Sequence, residues 1–198
     1  LLGIVLVVFG CQEIFSDLVP GIPFKDHLRI YTSNLIATRI PGAPWHIAGR
    51  VAQYIQLGFE PATVSYAILL EQFMILACGI FTGFLFNFSI YFKLSKWNFI
   101  WLCLTLILCV IIFRFNLLTR LFRLLFKKIP QKNISNKVIL RLFLIYPSVW
   151  VVGGIIFYSL AAGITPLSLS KLLPMIGIWS FSGSITNLPI FGIANFGT

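Results

Sequence analysis

Residues 61–92 hold a single charge, Glu71, in thirty-two positions. At about 1.5 Å per residue such a run is longer than the roughly 30 Å hydrocarbon core of a bilayer. It predicts a membrane-spanning helix. Glu71, ten residues in from Pro61, then sits about 15 Å deep, near mid-membrane. The rest of the chain agrees: 59% of its residues are hydrophobic and 10% charged, with a mean hydropathy of +0.96, outside the range of soluble domains. Fifteen Lys and Arg against five Asp and Glu would suggest nucleic acid in a soluble protein. In an apolar chain the excess reads as topology signal, and no nucleic-acid partner is expected.

Spans are predicted over about 1–22, 61–92, 97–117 and 142–163. The linker at 119–141 carries Arg120, Arg123, Lys127, Lys128, Lys132, Lys137 and Arg141 without an acid, which places it on the cytoplasmic side. Its interleaved Leu121, Phe122, Leu124, Leu125 and Phe126 also suit an interfacial segment on anionic lipid. The sequence begins and ends inside apolar stretches and reads as a piece of a longer chain. The four cysteines, Cys11, Cys78, Cys103 and Cys109, match no metal-ligand spacing and read as small packing residues. No cofactor or metal is expected.

The stretch Ile40–Arg50, IPGAPWHIAGR, breaks this pattern with two prolines, two glycines, a tryptophan, a histidine and an arginine. Residues 26–39 and 44–57 can each form a helix of only about 21 Å, too short to cross. A hairpin that dips in and returns, over about 24–58, is the expected arrangement. Broken backbone at membrane depth is tolerated only against protein or a water-filled cavity. Pro44 suits a first helical turn, whose unpaired N–H groups favour an anion. His46, Gly49, Arg50 and Gln53 are expected to share one face of that helix, with Ile47, Val51 and Tyr54 pointing elsewhere. Arg39 and Arg50 could chelate a phosphate; equally, they could snorkel to headgroups.

Glu71 needs a compensating partner, because a carboxylate at mid-helix costs about 2.5–3.5 kcal/mol on insertion scales. Arg39 or Arg50 could supply it, and protonation or a cationic ligand group remains open. Glu71, Cys78 and Thr82, bordered by Gln72, Gly79 and Gly83, form a stripe expected to face other helices. Beyond Ile164, the hydroxyls and breakers Ser180, Ser182, Gly183, Ser184, Thr186, Asn187, Pro189 and Gly192 suggest a second interrupted segment over about 168–198. Paired interruptions of this kind are compatible with an inverted repeat.

Ser33, Arg39-Ile40-Pro41-Gly42, Trp45, Gly49-Arg50, Gly58 and Glu71 resemble the pattern of the lysylphosphatidylglycerol synthase/flippase transmembrane domain. The terminal Pro189, Gly192, Asn195 and Gly197 look like that family's second glycine-rich motif. The resemblance implies one all-α, polytopic, flippase-like domain in a prokaryotic plasma membrane. It would move an anionic or aminoacylated phospholipid, or a polyprenyl-linked lipid, between leaflets, and a homo-oligomer would be compatible with this. Arg39, Pro41, Gly42, Trp45, His46, Arg50, Glu71, Pro189, Gly192 and Asn195 would form the substrate site, with no catalytic residue. The alternative is a membrane anchor or noncatalytic subunit of a lipid-modifying transferase.

Overall fold

A computed structural model of the protein describes residues 1–36, 45–91 and 134–186, with side chains up to Asn87 in the middle segment. Arg39, Pro41, Gly42, Pro189, Gly192 and Asn195, the span expected at 97–117 and most of the basic linker lie outside the described residues. The described residues are helical, without strands. Helices α1 (Leu2–Leu18), α2 (Phe24–Asn34), α3 (Trp45–Gln56), α4 (Pro61–Tyr91), α5 (Asn136–Ile164) and α6 (Leu172–Thr186) follow in order, with a 3₁₀ turn at Leu169–Lys171 before α6. Two stretches, Pro61–Asn87 and Asn136–Ile164, are long and apolar enough to cross a membrane. α5 starts six residues before the span expected from 142, so Lys137 and Arg141 belong to a helix rather than to the linker.

Local chemistry sets the short elements. Gly21 at φ +108° turns the chain after α1, and Pro23 stands in extended conformation ahead of α2, whose first turn carries Asp26 against the positive helix end. α3 ends in a Schellman motif: Phe59 N–H reaches the Tyr54 carbonyl at 3.3 Å and Gly58 N–H that of Ile55 at 2.9 Å. Gly58, at φ +90°, takes the left-handed position where a Cβ would be strained. Pro61 then opens α4, where its missing N–H has no helical partner to lose. α2 and α3 hold 11 and 12 residues. They are therefore about 17 and 18 Å long, well short of a bilayer core.

The long helices pack through small residues. A Cβ on Gly79 of α4 would run into Ser184 of α6 and Trp150 of α5, and one on Gly154 of α5 would meet the Ile176 backbone of α6. Close approach of this kind is how helices associate when lipid is as apolar as they are. The contacts also give directions. Gly79 lies by Ser184 and Gly177 by Asn87, so α6 runs antiparallel to α4. Gly154 with Ile176 and Trp150 with Gly183 make it antiparallel to α5 as well. α4 and α5 are hence parallel. α1 is antiparallel to α5, with Gly10 against Tyr146, Glu13 paired to Arg141 at 2.9 Å and Asp17 accepting from Ser135 N–H at 2.7 Å. The last two contacts join the end of α1 to the start of α5.

The stripe expected to face other helices does so: Glu71, Cys78 and Thr82 are buried. Between residues 172 and 186 the hydroxyls of α6 do not interrupt the helix, because Ser180 bonds the Ile176 carbonyl and Ser184 that of Ser180, each at 2.7 Å; the rest of the segment expected to be interrupted, 187–198, lies outside the described residues. A hydroxyl bonded inside its own helix needs no broken backbone to satisfy it.

Candidate functional site

The site forms where α3 crosses α4. Arg50 and Glu71 are the charged pair at its centre, 2% and 0% exposed. Arg50 Nη1 donates to Glu71 Oε1 at 3.3 Å, and Nη2 donates to Oε2 in a shorter contact. The two-pronged geometry matches a planar guanidinium to a carboxylate. Nη2 also faces Cys11 Sγ of α1 at 3.3 Å, and the Tyr31 ring of α2 lies 4.8 Å from Arg50 Cζ, within cation–π range. Four helices thus converge on one guanidinium.

A second layer backs it. Tyr54, one helical turn beyond Arg50, is fully buried. Its hydroxyl meets His27 Nδ1 of α2 at 2.6 Å and stands 3.8 Å from Cys11 Sγ. Phe15 of α1 stacks on the Tyr54 ring with centroids 4.5 Å apart and meets His27 edge-on. Burial, with Arg50 adding to it and Asp26 opposing, lowers the His27 imidazole to about 4. The ring is therefore neutral at physiological pH. Two buried polar atoms at this level have no hydrogen-bond partner, Arg50 Nε and the Tyr146 hydroxyl of α5. The Tyr146 ring closes against Gly10 of α1, next to Cys11.

The expected α3 face divides in two. Arg50 points inward, but its companion is Tyr54, which was expected to point elsewhere. The reason is tertiary: α1 and α2 close over the Arg50–Tyr54 side and give both residues partners. Gln53 turns instead towards Ser33 of α2, whose hydroxyl it accepts at 3.2 Å. Gly49 lies against the Asn34 amide. Trp45 is half exposed, His46 partly buried, and no hydrogen bond joins either to the ion pair. Of the expected site residues the structure brings together Arg50 and Glu71. It adds Cys11, His27, Tyr31, Tyr54 and Tyr146, of which only Tyr54, four residues from Arg50, carried a spacing signal.

As built, the centre is electrically neutral, and Glu71 occupies the guanidinium. The site can accept an outside anion only if Glu71 yields its place, and an outside cation only if Arg50 does. Among the described residues no three His, Cys, Asp or Glu side chains gather as a metal ligand set. No family model, curated protein or solved structure matches the chain. The flippase-like resemblance stands on its own residues alone.

Proposed function

We propose that the protein is a multi-pass membrane protein of flippase type, which passes an anionic or aminoacylated phospholipid, or a polyprenyl-linked lipid, between leaflets. α2 and α3 form a re-entrant hairpin in this reading, and the Arg50–Glu71 pair is its exchangeable centre. A headgroup phosphate takes the guanidinium while Glu71 takes a proton or the ammonium of an aminoacylated headgroup. The observation that carries the proposal is the buried Arg50–Glu71 pair itself, which ties a helix too short to cross to the depth of a long apolar one. A charged pair so placed is costly to bury. Hydrophobic residues would hold the same helices at less cost, which favours a role for the charges beyond packing. The excess of basic side chains on the stretch leading into α5 supports an orientation with that end cytoplasmic.

The test is leaflet transfer of fluorescent phosphatidylglycerol, lysyl-phosphatidylglycerol and neutral lipid in proteoliposomes. Wild type is expected to move the charged lipids, and Glu71→Gln to lose transfer while still eluting as a folded species. Wild-type transfer no faster than protein-free liposomes would overturn the proposal. That result would favour the competing reading, an anchor or noncatalytic subunit of a lipid-modifying transferase, for which the mutual neutralisation of the two charges speaks.

A further inference from the structure

A row of polar side chains runs through the packed core from the first turn of α2 to Glu71 of α4. His27 Nδ1 and the Tyr54 hydroxyl are 2.6 Å apart, that hydroxyl stands 3.8 Å from Cys11 Sγ, and Cys11 Sγ lies 3.3 Å from Arg50 Nη2. The same nitrogen holds Glu71 Oε2, which puts the thiol beside the carboxylate. His27, Tyr54, Cys11, Arg50 and Glu71 are all at most 2% exposed. Packing alone does not call for such a row. Phe15 stacks on the Tyr54 ring, and a phenyl group at 54 would serve that stack as well, whereas a buried hydroxyl has to be paired.

His27, Tyr54 and Cys11 can each give and take a proton. An imidazole donates from one ring nitrogen and accepts at the other, and a phenol or thiol donates its own proton while accepting at oxygen or sulfur. Around His27 stand Phe15 of α1, Tyr54 and the cationic Arg50 of α3, and the neighbouring Asp26, which opposes Arg50. Asp26 is partly exposed, so this end of the row is the one open to a proton from water. At the other end Glu71 faces Arg50 of α3, with Cys11 of α1 beside it.

Glu71 creates the demand. Once a phosphate takes the guanidinium, the carboxylate left behind is an isolated buried charge, and such a group neutralises by taking a proton. A headgroup that carries an ammonium removes the demand, because its own cation replaces Arg50.

We infer that His27, Tyr54 and Cys11 form a proton path from the start of α2 to Glu71, used when the headgroup is anionic and carries no ammonium. This rests on the lipid-translocation reading above and names the ion coupled to it. The Cys11 S–H bond breaks as an O–H bond forms on Glu71. The Tyr54 proton replaces it on sulfur, the His27 Nδ1 proton replaces that one on the Tyr54 oxygen, and water at the α2 end returns one to His27 Nε2, with Asp26 as the neighbouring carrier. Each relay group ends with as many protons as it began. The single proton gained by Glu71 balances the single negative charge of a phosphodiester, and the guanidinium beside the sulfur stabilises negative charge there while the protons shift.

The experiment follows leaflet transfer of fluorescent phosphatidylglycerol and lysyl-phosphatidylglycerol by the full chain in sealed proteoliposomes, with pH-sensitive dyes inside and outside. Transfer of phosphatidylglycerol should be accompanied by proton uptake and should slow in D₂O; transfer of the lysyl lipid should show neither. Tyr54→Phe and Cys11→Ala should slow phosphatidylglycerol roughly a hundredfold, within the range of a positioned proton-transfer group. The same variants should leave the lysyl lipid within about twofold of wild type, since its ammonium meets Glu71 without a proton. Cys11→Ser, which restores a group able to relay, should recover phosphatidylglycerol transfer. A variant that only weakened the fold would slow both lipids alike, and that outcome, or phosphatidylglycerol transfer without proton uptake, overturns the path and leaves translocation standing. Transfer of neither lipid by wild type overturns translocation and the path with it. Should the variants fail to fold, the D₂O comparison on wild type decides: slowing of phosphatidylglycerol alone supports the path, and an equal response of the two lipids overturns it.

Discussion

At the scale of single residues, the energetics of Arg50 and Glu71 are asymmetric. Removing one charge strands the other in a dry environment, and Arg50→Ala should cost about 3–5 kcal/mol. Replacing both by apolar residues of similar volume, Arg50→Met with Glu71→Leu, should leave stability within about 1 kcal/mol of wild type or raise it. Thermal unfolding in detergent measures all three; a double variant as unstable as the single one would show that the pair holds the fold by more than mutual neutralisation. His27 adds a pH dependence. The fold holds the imidazole neutral by lowering it from its usual 6.5 to about 4, so its contribution is intact above about 6.5 and is lost as pH falls towards 4. His27→Gln should flatten the loss of melting temperature over that window, and parallel curves for the two proteins would refute this. The need of Glu71 for a partner was legible in the sequence, because a carboxylate in an apolar helix requires one. Cys11 was not: a cysteine in an apolar run has the pattern of packing, and its polar role comes only from Arg50 on another helix.

At the scale of elements, glycines of α5 that look alike in sequence differ in what surrounds them. A methyl group on Gly154 would meet the Ile176 backbone, whereas one on Gly163 meets nothing within 4 Å. Gly154→Ala should therefore separate α5 from α6 and cost about 1–3 kcal/mol. Gly163→Ala should be neutral or stabilise by up to about 1 kcal/mol, since alanine is the better helix former. Unfolding midpoints of the two variants test this, and equal effects would mean that α5 and α6 do not approach closely at Gly154. The bounds of α4 were readable because Pro61 starts the helix and a nearly unbroken apolar run extends it. α6 was harder. Its serines and glycines have the composition of broken backbone, and only the three-dimensional contacts reveal hydroxyls turned back on their own helix and Gly183 and Gly177 seated against Trp150 and Asn87.

At the scale of the whole molecule, the helix directions make a claim about sides. α1 ends where α5 begins, tied there by Asp17 with Ser135 and Glu13 with Arg141, and α4 starts directly after the α2–α3 pair. α4 and α5 run parallel, so their starts share one end of the bundle and the start of α6, beyond the end of α5, lies at the other. If α2 and α3 dip into the membrane and return, Lys25 before the dip and Leu57 after it are on the same side as Lys137, and Lys171 is opposite. All four are exposed. Single cysteines at these positions can be reacted with a membrane-impermeant maleimide in sealed, oriented vesicles. Cys103 and Cys109 would be replaced by alanine, and the buried Cys11 and Cys78 would remain as unreactive controls. The expected result is labelling of Lys25→Cys, Leu57→Cys and Lys137→Cys from one face and of Lys171→Cys from the other. Opposite faces for Lys25→Cys and Leu57→Cys would mean that the chain crosses between them. A crossing built from helices of about 17 and 18 Å would leave the Arg50–Glu71 pair part-way along a crossing segment rather than within a re-entrant turn, and under the flippase-type proposal a headgroup would then have to pass the pair rather than turn at it.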